Sequence, residues 1–175
     1  MKHYDFADKF HSLYDQAVKT YATGQTDQTK YFTTDEKAFL AANGISVQAM
    51  YDYAEDHHNG GEPGYDRALA IETVRRDFFL NVQQGKASTA VLDEARMPAK
   101  TDAVKGIEWL PRIIPKTKAK LRGELPASLM YSCGGDRRFF KQHDIHPAEF
   151  LSLVWRNGDN DAATIDWVVK RSASK

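Results

Sequence analysis

The chain has 175 residues, of which 42% are hydrophobic and 27% charged, and its 24 basic and 24 acidic side chains cancel. That size allows a real core without staples, the composition argues against disorder, and the zero balance counts against a protein that lives on nucleic acid. A single cysteine, Cys133, closes no internal disulfide, and no stretch nears the ~20 apolar residues of a membrane span, so a reducing, cytoplasmic setting with no membrane is expected.

In chain order, Phe6, Phe10, Leu13, Tyr14, Ala17 and Tyr21 share one face of a helix over 4–21, opened by Asp5. Thr23 to Gln28 reads as a polar linker. Thr33 and Glu36 stand at capping-box spacing, so a short helix should run to about Asn43. Gly44 stops it, Ile45 enters the core, and Ser46 caps a third helix from Val47 to about His57. The turn-rich Asn59 to Gly64 leads into a helix over 65–85, started by Asp66 and stopped by Gly85. Its apolar stripe is Ile71, Val74, Phe78 and Val82, widened by Leu69, Phe79 and Leu80 and interrupted by Arg75, Arg76 and Asp77, which makes it the expected centre of the fold.

Further on, Ser88 is placed to cap a short helix over Thr89 to Ala95, ended by Met97-Pro98. Trp109, Ile113, Thr117 and Leu121 follow helical spacing, and Pro115 within that pattern predicts a kink or a break. Leu125 to Cys133 reads as extended. Asp136 opens a short helix, Pro147 between His146 and Glu149 marks the next, and Asp161 caps the last through Lys170. No stretch alternates as a strand does. The fold is therefore expected to be mainly α, a single helical domain over 1–175.

Phe39 and Phe139, Ile45 and Ile145, Met50 and Phe150, and Ala54 and Val154 stand 100 residues apart. Both copies read as helix, tight turn, buried isoleucine, second helix, polar loop and third helix. Two related helix-turn-helix-like lobes, 33–85 and 107–172, would account for this, as would two hairpins that share a turn chemistry. If the lobes are related, the loops at His57–Gly64 and Asn157–Asn160 should occupy equivalent places.

The run Trp109-Leu110-Pro111-Arg112, with Lys116, Lys118-Ala119-Lys120, Leu121 and Gly123, resembles bacterial domain-of-unknown-function family 5069. Tyr131, Cys133 and Asp136 ahead of Phe139 and Ile145 have the same look. The likeness covers mainly Ile107 to Trp155, with a weaker part over Phe39 to Gln83 around Glu62-Pro63 and Arg75-Arg76-Asp77. It implies no catalytic assignment.

Three clusters of residues could carry chemistry. Arg75, Arg76 and Arg112 are the types that grip a carboxylate or phosphate bidentately, although an internal network with Asp77 or Glu72 would use them as well. His57, His58, His143 and His146, with carboxylates nearby, could supply zinc ligands, though not all four at once. Capping or solvated histidines are the ordinary reading of the same residues. Tyr131, Asp136 and His143 are acid–base candidates. Cys133 close before a helix could be a nucleophile beside His143, or a small buried hydrophobe. The expected function is binding or acid–base turnover of an anionic or carboxylated small molecule, in a metal-assisted version as a lyase or hydrolase. The alternative is a protein-interaction module using the basic Arg112, Lys116, Lys120 face or an aromatic patch at Trp155 and Trp167.

Overall fold

The computed structural model describes residues 3–174. Among the described residues eight α-helices and one two-residue hairpin make up the regular structure, so the fold is mainly α. No described helix is long and apolar enough to cross a membrane. The chain divides into two compact units, Met1–Lys86 and Ala87–Lys175.

In the first unit, α1 (Phe6–Ala22) packs on α3 (Val47–Gly60), with α4 (Tyr65–Asn81) also against α1. Phe10, Leu13, Leu40, Met50, Tyr53 and Ile71 fill the core. Asp5 sits at the start of α1 without a side-chain cap. The expected linker holds a single 3₁₀ turn, Gln28–Lys30, because Asp27 accepts from the Thr29 amide. The capping box at α2 (Thr34–Ala42) forms: Thr33 Oγ1 accepts from the Glu36 amide and Glu36 returns to the Thr33 amide at 2.7 Å. Ser46 caps α3, which runs three residues past His57 to the left-handed Gly61. Gly44 has φ +71°, and a Cβ on it would lie 2.6 Å from the Phe79 ring. Only glycine suits both that backbone and that space.

Helix α4 turns only part of the expected stripe inward, Ile71 and Phe79, together with charged residues. It buries Ala68, Ile71, Glu72, Arg75, Arg76 and Phe79, while Val82 lies beyond its end and is 51% exposed. Polar partners already in the core explain this. Tyr53 donates to Glu72 at 2.7 Å and Arg76 Nε donates to Asn43 Oδ1 at 2.6 Å. The two guanidiniums lie over Phe79 and Phe6. A buried charge is tolerated where hydrogen bonds and aromatic faces receive it.

The second unit begins with an extended segment in place of the expected helix over Thr89–Ala95. The Leu92 amide donates to Glu124 O at 2.8 Å, which leaves only a 3₁₀ turn at Glu94–Arg96, capped by Asp93. A hairpin follows, β1 (Ala103–Val104) paired with β2 (Ile107–Glu108) across Lys105 and Gly106, both at positive φ. Helix α5 (Leu110–Arg122) runs unbroken through Pro115, and α6 (Gly134–Gln142), α7 (Pro147–Asn157) and α8 (Asp161–Ala173) complete the unit. Pro147 and the His146–Glu149 capping box start α7 as expected, whereas the α8 cap is Asn160, one residue before Asp161.

The two units carry the same element order at a spacing of 100 residues. Helices α2 and α6 begin at 34 and 134, and α3 and α7 at 47 and 147. Tyr31 and Tyr131, Leu40 and Phe140, Ile45 and Ile145, and Met50 and Phe150 are all buried. The helix-ending bond recurs as well, from Ile45 N to Leu40 O at 3.0 Å and from Ile145 N to Phe140 O at 2.9 Å. The connections before α4 and α8 join equivalent helices, and α7 with its following loop is four residues shorter than α3 with its loop, since 161 − 65 = 96.

Candidate ligand cleft in the second unit

Lys100, the hairpin, Trp109 ahead of α5 and one face of α6 from Gly135 to His143 shape a surface cleft of about 510 Å³. Trp109 and Phe139 are its aromatic surfaces, Lys100 and Arg138 its cations, Glu108 its acid, and His143 its imidazole. Trp109 is fixed from three sides. Its backbone is left-handed at φ +69° where the chain turns from β2 into α5. Its indole Nε1 donates to Asp136 Oδ1 at 3.0 Å. Its ring lies on Gly135, where a Cβ would come within 2.5 Å of it. The pair Gly134-Gly135 is thus more than a turn: it opens α6 and makes room for the indole.

Behind Trp109 lies a buried ion pair. Lys116 and Asp136 are 3% and 0% exposed and meet at 2.7 Å. Asp136 also accepts from the Ser132 amide at 2.9 Å, and Lys116 donates to Cys133 Sγ at 3.3 Å. The first unit shows the counterpart with a neutral donor one hundred residues earlier, where Gln16 donates to Glu36 Oε2 at 3.2 Å. The second unit keeps the pairing and gives it full charge, which holds Asp136 as a fixed acceptor for the indole.

The other candidates are distributed as follows. Tyr131 is buried with its hydroxyl donating to Pro147 O at 2.8 Å, and burial pushes its phenol well above the usual range. Asp136 is enclosed, so it positions Trp109 and is shut off from solvent. Of the three acid–base candidates His143 alone lines the cleft. Arg75 and Arg76 belong to the core of the first unit, and Arg112 in the second holds Pro98 O at 2.8 Å. Lys116 and Lys120, taken for part of a basic surface, are buried, and Lys118 pairs with Asp161 at 2.7 Å.

Each of the candidate histidines has a neighbour in its own unit. His57 Nδ1 stands 3.3 Å from the Tyr14 hydroxyl and His58 packs on Tyr21, both in the first unit. His146 caps α7 through Nδ1, and His143 Nδ1 is 2.7 Å from Ser172 Oγ. Among the described residues no group of three or more histidine, cysteine or acidic side chains could hold a metal ion. Lys100, Glu108 and Arg138 share no spacing pattern in the sequence, because the stretch around the hairpin supplies the first two and α6, thirty residues on, the third.

No curated protein and no solved structure matches the chain. Residues 95–175 match the sequence profile of a family described as domain of unknown function (DUF5069). That span includes the hairpin, the buried pair and all of α5 to α8, and the weaker likeness over Phe39–Gln83 falls outside it. Over those residues the second unit is similar to the DUF5069 family.

Proposed function

We propose that the second unit binds a small carboxylated molecule with a flat apolar part in the cleft beside Trp109. The observation that carries this reading is the pairing of two aromatic surfaces with two cations in a concavity of about 510 Å³. Small-molecule sites combine such apolar walls with a few placed polar groups. Arg138 and Lys100 would take the carboxylate, and Trp109 and Phe139 the flat portion. Acid–base chemistry here would run through His143, the imidazole that lines the cleft. The lone cysteine of the chain fits a cytoplasmic setting for such a protein.

The interaction reading has less support, because Lys116 and Lys120 of its basic face are buried. Calorimetric titration of the full chain with phenylacetate tests the proposal. Saturable binding should weaken about tenfold in the Lys100→Ala, Arg138→Ala double variant, the loss of roughly one charge-assisted contact. Equal affinity in both proteins would put the ligand elsewhere.

A further inference from the structure

Glu108 closes β2 and is exposed, while Ile107 before it is buried. Across the hairpin its register partner is Ala103, whose methyl group offers neither charge nor hydrogen bond. The cations nearby are committed elsewhere. Lys105 at the hairpin tip pairs with Asp166 on α8, Arg112 donates to Pro98 O at 2.8 Å, and Arg137 donates to Ser132 O at 2.7 Å. Among the described residues Lys100, Glu108 and Arg138 take part in no hydrogen bond and no ion pair, and all three line one cleft.

These three charges therefore make no bond that holds the fold together. The first unit agrees: one hundred residues before Arg138 stands Ala38, in a helix that forms without a charge there. A carboxylate has two equivalent oxygens that only accept, so Glu108 needs no particular tautomer to receive a donor. A cleft that offers unpaired charges of both signs complements a ligand that carries both.

We propose that Glu108 receives an ammonium group, and that the cleft prefers aromatic α-amino acids to aromatic acids that lack the amine. Arg138 and Lys100 would hold the carboxylate and Trp109 the ring, so the inference rests on the cleft being a carboxylate site. Glu108 adds a third point of attachment, which makes the preference stereospecific.

Calorimetric titration of the full chain with 3-phenylpropanoate and the two phenylalanine enantiomers, which add one ammonium group to the same skeleton, tests it. On the unmodified protein one enantiomer should bind about twofold to fivefold more tightly than 3-phenylpropanoate, the span of one solvent-exposed ion pair. Glu108→Gln should then move the ligands in opposite directions. That enantiomer should weaken by a similar factor, and 3-phenylpropanoate should tighten by about twofold as a repelling charge is removed. A merely structural role for Glu108 would shift both ligands the same way; that result, or no shift, overturns the inference. So does an unmodified protein that binds neither enantiomer more tightly than 3-phenylpropanoate, which leaves the carboxylate site standing. Binding of none of the three removes the site and this inference together.

Discussion

The Lys116–Asp136 pair gives the sharpest test of the second unit's interior. Replacing Asp136 by alanine removes three accepted bonds, from Lys116, Trp109 and the Ser132 amide, and leaves an ammonium 3% exposed without its counter-charge. Removing one partner of a buried pair costs about 3–5 kcal/mol, because the remaining charge is stranded. At roughly 2–4 °C per kcal/mol for a chain of this size, the melting temperature should fall by about 6–20 °C. The matched control is Glu36→Ala at the equivalent place in the first unit, where the partner Gln16 is neutral and a capping box is lost. That change should cost only about 0.5–2 kcal/mol. Urea unfolding followed by far-UV circular dichroism measures both. If Asp136→Ala costs no more than Glu36→Ala, the charge is not buried as described, and the argument for a fixed acceptor beneath Trp109 fails.

Gly135→Ala should push the indole off α6, since its Cβ would lie 2.5 Å from the ring. A loss of about 1–3 kcal/mol and an altered tryptophan emission are expected, with weaker phenylacetate binding. Gly44→Ala should cost a similar 1–3 kcal/mol, roughly, by combining positive φ with a clash against Phe79, and should leave tryptophan emission unchanged. Alkaline pH should unfold the protein from the tyrosines outward. Burial pushes Tyr14 and Tyr51 up to about 12, against about 10 in an unfolded chain. The folded state therefore holds the proton longer, so this stability is whole below pH of about 10 and is lost as pH rises toward 12. Tyrosinate absorbance should show a late-titrating class that vanishes in denaturant, and its absence would contradict the burial.

Local chemistry made several elements legible in the sequence. The Thr33–Glu36 box, the Gly44 stop and the His146-Pro147-Glu149 start need only a few neighbouring residues to act, and each forms where expected. The spacing of 100 residues was visible because both units bury matching apolar side chains. What failed was burial decided by distant partners. Glu72, Arg75 and Arg76 face inward because Tyr53, Asn43 and aromatic rings receive them, and no periodicity of α4 alone contains that fact. Ser88 looked like a cap, yet the Leu92 amide found Glu124 O on another segment. Among the candidate site residues His143 reached the cleft. Tyr131 is enclosed, and Asp136 stands behind Trp109.

Trp109 is a wall of the proposed carboxylate site. Indole N–H resonances of uniformly labelled full-length protein, assigned with Trp109→Phe, report its three tryptophans during titration with phenylacetate. Saturable movement of the Trp109 signal, with Trp155 and Trp167 still, is the predicted result. A still Trp109 signal at saturating ligand, or movement confined to Trp155 or Trp167, would contradict it.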